Sequence, residues 1–138
     1  MTPIPSDTLD EFLRKSGLRP TRQRSALAEL LFAEGNRHVT AEQLHSEAGA
    51  AGVSVSLATI YNTLNQFTEA GLLREVVVES GRSYFDTNID DHHHFFMVDT
   101  GQLVDIPGVT FESVAMPMTP VGHAVERVDV IIRLRSPK

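Results

Sequence analysis

The sequence predicts an α+β fold, an N-terminal winged helix-turn-helix followed by a small α/β dimerisation domain, and three observations predict it. Residues 8–70 hold four stretches with apolar residues at helical spacing, punctuated by Ser, Thr, Pro and Gly. The period changes to two over residues 72–87, around Ser80-Gly81. A second β-patterned stretch, residues 94–134, begins at the end of the polar run Asp90-Asp91-His92-His93-His94.

The first helix is expected over 8–16, with Leu9, Phe12 and Leu13 on one side and Gly17 placed to stop it. A second begins after Pro20, capped by Thr21, with Leu27, Leu30 and Leu31 as its buried stripe and Gly35 at its end. His38 then lies in the turn before the third helix. That helix opens with the capping box of Thr40 and Gln43 and runs through Leu44 toward Gly49. The fourth spans 57–70 behind Ser54 or Ser56, with Ile60, Leu64 and Phe67 facing inward. Its outer surface carries Ser56, Thr59, Tyr61, Asn62 and Asn65, with no acid before Glu69. Small polar groups and an exposed tyrosine suit a helix that enters a major groove.

Strands are expected over 72–79 and 82–87, a hairpin whose tip places Arg82 either against DNA or in a plain exposed turn. Two further strands, 94–98 and 103–106, flank the turn 99–102. A last strand, 125–134, puts Val128, Val130, Ile132 and Leu134 on one face and Arg127, Asp129, Arg133 and Arg135 largely on the other. The stretch 109–122 is irregular, with at most a short helix at 111–115. Three strands in so short a unit leave a face to be covered, so a homodimer is expected, which also supplies the two half-sites of a helix-turn-helix protein. The domains are read as 1–86, winged-helix DNA-binding, and 87–138, dimerisation and ligand sensing.

The 138 residues include no cysteine, which removes disulfides, thiolate nucleophiles and any Cys-based structural zinc. No stretch approaches the ~20 apolar residues of a membrane span, and Asp7, Asp10 and Glu11 stand where a signal peptide would be basic. A cytoplasmic protein without a membrane partner is expected. Net charge is -6, yet Arg14, Lys15, Arg19, Arg22 and Arg24 cluster without an intervening acid. That cluster reads either as a phosphate grip or as a solvated surface.

The histidine run carries the chemistry. Imidazole and carboxylate together suit manganese, iron or zinc. In a strand, His92 and His94 share one face, and Asp86, Asp105 and His38 are the residues that would complete a site with them. The other face offers the thinner set Asp91, His93 and Glu112. Haem iron is the alternative ligand, held by His92, His93 or His94. His45 and His123 read as surface residues. A metal-dependent hydrolase or oxygenase with Asp91 as base is the rival class, but it leaves the helix and wing module without work, so the chain is not read as an enzyme.

Five segments carry a resemblance to a known family: Gly17-Leu18-Arg19-Pro20-Thr21-Arg22-Gln23-Arg24, His38-Val39-Thr40-Ala41-Glu42-Gln43-Leu44, the run from Ala58-Thr59-Ile60-Tyr61-Asn62 to Gly71-Leu72-Leu73, Asp91-His92-His93-His94-Phe95-Phe96, and Arg127-Val128-Asp129-Val130-Ile131-Ile132-Arg133-Leu134-Arg135. They resemble the ferric uptake regulator family, and within it the iron response regulator branch of alphaproteobacteria. The resemblance implies dimers on palindromic, AT-rich operators of haem-synthesis and iron-uptake genes. It implies base contacts from Tyr61 with Thr59 or Asn62, while Arg19, Arg22, Arg24 and Arg82 read as the phosphate contacts. It also implies an inter-domain regulatory site at His38, Asp86, His92, His94 and Asp105, with aspartate at Asp86 and Asp105 where glutamate is usual.

The branch further implies haem sensing by the triplet His92, His93 and His94. The expected cofactor is therefore haem, or Mn2+ or Fe2+, with Zn2+ able to substitute in vitro. The expected partners are double-stranded DNA, a second copy or a dimer of dimers, and a haem-donating protein. Three features depart from the family pattern. The cysteine pairs are absent, with Met97 and Thr100 near the first; a second metal site lacks its last-strand histidine, near Val128; and no Cys-Pro haem motif exists.

Overall fold

The computed structural model describes residues 8–79, 82–90, 92–107 and 117–137. They form two units, Met1–Ile89 and Asp90–Lys138.

In the first unit four helices precede a small sheet: α1 (Leu9–Lys15), α2 (Arg22–Phe32), α3 (Ala41–Ala50) and α4 (Leu57–Glu69), with strand β1 (His38–Val39) between α2 and α3. Helix starts follow the caps in the sequence. Thr21 Oγ1 accepts the Arg24 amide at 3.1 Å, and Thr40 and Gln43 form the reciprocal capping box. Ser56, not Ser54, caps α4, its Oγ accepting the Thr59 amide at 3.1 Å. At the far end, Gly71 adopts a φ of 81°, and Leu72 N–H donates back to the Phe67 carbonyl at 2.9 Å. Leu27, Leu31 and Phe32 of α2 bury against Leu44, Ile60 and Phe67. Each such side chain contributes about 1.5–3 kcal/mol by leaving water.

Strands β2 (Arg74–Glu79) and β3 (Arg82–Asp86) form the wing hairpin, and the sheet order is β1-β3-β2 with antiparallel pairs throughout. The expected tip, Ser80-Gly81, lies outside the described residues. β1 is a correction to the sequence reading, which left His38 in a turn. A reciprocal clasp holds this stretch to β3: Thr87 N–H donates to the Arg37 carbonyl at 2.9 Å and Arg37 N–H to Thr87 Oγ1 at 2.9 Å. The Arg37 guanidinium is anchored in turn by Glu47 of α3 at 2.6 and 2.8 Å. Val39 and Phe85 point into the helical core. His38, Tyr84 and Asp86, one residue out of phase with them, belong to the opposite face.

The second unit is a sheet of order β5-β4-β6, from β4 (His93–Met97), β5 (Gln102–Ile106) and β6 (Ile131–Leu134). The β4–β5 pair is antiparallel and the β4–β6 pair parallel. The last strand is shorter than the 125–134 expected. β6 pairs only from His94↔Ile131 to Met97↔Leu134, because β4 begins at His93 and offers no backbone to residues before Val130. Phe96, Leu103 and Ile106 are buried, while Val128, Ile132 and Leu134 stand exposed. The arginine side is only partly polar, since the Arg133 guanidinium lies 5.5 Å from the Phe96 ring centre. The short helix expected over 111–115 lies outside the described residues. Among the described residues no helix is long and apolar enough to cross a membrane.

Candidate metal centre and nucleic-acid interface

Strand β4 positions the ligands of the second unit. His94 is the register partner of Asp105 on β5, so the two side chains project from the same face. His92, two residues earlier, shares that face. The His94 and His92 Nε2 atoms lie 3.3 and 3.5 Å from the same oxygen, Asp105 Oδ1, and the two rings are 4.5 Å apart. His94 is only 2% exposed. The His92 Nδ1 lies 2.6 Å from the Asp90 carbonyl. A carbonyl only accepts, so Nδ1 carries the proton there, and Nε2 is the ring nitrogen that faces Asp105. His93 goes the other way, its Nδ1 accepting the Val130 amide at 3.1 Å. The alternation expected of the triplet is the one observed.

In the first unit, His38 and Asp86 are register partners across β1 and β3. An imidazole nitrogen and a carboxylate oxygen of this pair lie within 4.8 Å. Asp86 is 1% exposed and accepts the Asn88 amide at 2.9 Å; His38 stands edge-on to Tyr84 with ring centres 6.5 Å apart. Each unit thus presents histidine nitrogen beside aspartate oxygen. Imidazole nitrogens and carboxylates without thiolate fit Mn2+ or Fe2+, borderline to hard cations, by the chemistry of the donors. Asp91 and Glu112, the acids of the thinner set, lie outside the described residues.

The outer surface of α4 is the polar one expected from the sequence. Ile60, Leu64 and Phe67 are buried, whereas Tyr61 is 39% exposed and Asn62 is exposed. Thr59 is half-buried, its Oγ1 accepting the Ser56 hydroxyl at 3.0 Å. Sequence reasoning missed Glu42 of α3, whose Oε1 accepts the Tyr61 hydroxyl at 2.8 Å. That hydrogen bond, with lesser effects of burial and of the Glu42 charge, raises the Tyr61 pKa above its ordinary value. Tyr61, Asn65 and Arg82 share a cleft of about 370 Å³ with Glu42 and Glu75.

Arg19, Arg22 and Arg82 are exposed. Arg24 is committed locally: Nε and Nη2 donate to Gln66 Oε1 at 3.2 and 2.9 Å and Nη1 to the Arg19 carbonyl at 3.0 Å. Arg24 therefore fastens α2 to α4, and Gln66 was a second residue the sequence did not single out. His45 and His123 are surface residues as expected, with Nε2 of the first 3.1 Å from the Val55 carbonyl and Nδ1 of the second 3.2 Å from the Val121 carbonyl.

Residues 15–124 match the sequence profile of the Ferric uptake regulator family. The chain belongs to the ferric uptake regulator family. It is 35% identical over 102 residues to the ferric uptake regulation protein of Shigella flexneri, covering 73% of this chain and 69% of that one. Its fold is similar to the ferric uptake regulator of Pseudomonas aeruginosa solved with manganese, with a TM-score of 0.68 at 26% identity, over 94% of this chain and 98% of that one. The Vibrio cholerae regulator shares the fold at a TM-score of 0.70 and 21% identity, over 92% and 98% of the two chains.

Membership in the ferric uptake regulator family makes the chain a regulator of transcription, not an enzyme, and the hydrolase reading of the histidine run falls away. The histidine and aspartate donors are present for a metal-responsive member, and the thiolate donors of a zinc site are not. Nothing in these likenesses singles out the haem-responsive branch.

Proposed function

We propose that this chain is a homodimeric transcription regulator, responsive to Mn2+ or Fe2+, that reads duplex DNA with α4. One observation carries the ligand assignment: two imidazole Nε2 atoms converge within 3.5 Å of a single carboxylate oxygen, Asp105 Oδ1. His92, His94 and Asp105 would hold the ion, with His38 and Asp86 as the donors contributed by the winged helix. A bound ion would supply positive charge to these donors, and its presence or absence would set the DNA-binding state.

On the DNA side, Tyr61, Thr59 and Asn62 read base edges, and Arg19, Arg22 and Arg82 hold phosphate. Arg24 acts from behind, keeping α4 in position through Gln66. The exposed apolar side chains Val128, Ile132 and Leu134 are the surface a second copy covers, and two copies present two recognition helices to a palindromic, AT-rich operator. The haem assignment of the iron response regulator branch is less well supported. His93 is engaged by the Val130 backbone, and the triplet does not act as three equivalent ligands.

Fluorescence anisotropy on duplexes that the protein itself selects from a random pool tests this reading. Affinity is expected to change at least tenfold between Mn2+ and EDTA, and His94→Ala should abolish that change. Equal affinity in metal and chelator, or a haem Soret shift lost in His92→Ala with no Mn2+ or Fe2+ bound, would overturn it.

A further inference from the structure

The wing sheet carries a row of three polar side chains across its strands. His38 on β1 and Arg74 on β2 are both register partners of Asp86 on β3. Antiparallel partners project from the same face with Cβ atoms roughly 4.5–5.5 Å apart. Asp86 thus has a histidine as its register neighbour on one side and an arginine on the other. Arg74 is 5% exposed and Asp86 1%, so both are buried. A guanidinium stays charged at any accessible pH, so this cation is permanent.

We propose that Arg74 is the resident counter-ion of Asp86, which holds the metal-free wing together and sets the metal threshold by competing with the incoming ion for the same carboxylate. The inference rests on the reading of Asp86 as a metal ligand; Arg74 itself is no ligand, since it has no lone pair to give. Without a divalent ion, a buried carboxylate next to another donor set carries uncompensated negative charge, and the guanidinium offsets it. A guanidinium there would repel a bound divalent ion and compete with it for the carboxylate oxygens. Affinity is held down and apo stability held up by one side chain.

The signs of the two effects separate this role from plain packing. A fixed positive charge beside a carboxylate weakens its hold on any cation, a divalent ion included. In Arg74→Gln the Kd for Mn2+, measured by competition with a fluorescent chelator, is expected to tighten about tenfold or more. The metal-free melting temperature should fall while the Mn2+-loaded one falls less. Arg74→Lys, which restores the charge, should bring both values back toward wild type.

If Arg74→Gln does not fold without metal, Mn2+ titration followed by far-ultraviolet circular dichroism should fold it, because the ion replaces the missing charge. A folded Arg74→Gln with wild-type or weaker Mn2+ affinity overturns the proposal, and so does a variant that stays unfolded at every Mn2+ concentration. Wild-type protein that binds neither Mn2+ nor Fe2+ would instead remove the metal reading on which this rests.

Discussion

Glu42 shows how one side chain shapes the reading surface. Its carboxylate holds the Tyr61 hydroxyl at 2.8 Å and raises the phenol pKa, so the protonated tyrosine is favoured by the fold. A raised pKa means stability that is complete below the unfolded value and lost as pH climbs through the folded one. Glu42→Gln should therefore move a tyrosinate titration to lower pH. Near-ultraviolet absorbance reads this cleanly, because the chain has two tyrosines and no tryptophan. The same variant removes a negative charge beside the proposed DNA face, so affinity for random duplex should rise while the ratio of specific to random binding falls. Tyr61→Phe should cost discrimination of about 1 kcal/mol, read from the same ratio. Tyr61 was legible in the sequence because α4 has one polar face. Glu42 was not, since an acid in the first turn of a capped helix is already explained by the helix dipole.

Elements were legible where they carry their own punctuation. The capping box of Thr40 marked α3 before any contact was known, and Thr40→Ala should lower stability by about 1 kcal/mol, seen as a shift of the denaturant midpoint at constant slope. Strands defined by a partner were harder. β1 has two residues, too few to display a period, and its existence rests on the clasp between Arg37 and Thr87. The histidine it carries was legible as a candidate ligand, but its opposition to Asp86 was not. The length of β6 was misread for the same reason, being set by where β4 begins.

Asp99 adds a tie at the far end of that strand, accepting the Ser136 amide at 2.9 Å. This bond, assisted by the Ser136 side chain and Arg135, lowers the Asp99 pKa. The tie is in force above the ordinary aspartate range and lost as pH falls through the lowered value. Asp99→Asn should speed amide hydrogen exchange over residues 131–134 at neutral pH and leave the helices of the first unit unchanged.

For the chain as a whole, metal is the lever on stability. An ion that binds only the folded protein adds about 2.7 kcal/mol at a hundredfold excess over its Kd. Mn2+ should raise the melting temperature by several degrees and EDTA should reverse it, with His94→Ala blind to both. Charge at the exposed apolar strip, as in Ile132→Glu, should shift the protein toward monomer in sedimentation velocity and weaken operator binding without altering the helices. Winged-helix architecture and the histidine alternation were legible in the sequence. The ligand was not, because haem and a bare ion draw on the same imidazoles and only their aim separates the two.

The middle place of β4 in its sheet has one more consequence. Hydrogen-bonded on both edges, this strand cannot drift by a fraction of a step, and three identical residues in succession disguise any slip. Inserting a single alanine ahead of the triplet would keep every imidazole in the chain, yet a shift by one place would deliver His93 alone toward Asp105. On the proposed metal reading, sensing is a matter of parity, and an odd-numbered error would silence it with its composition of ligands intact.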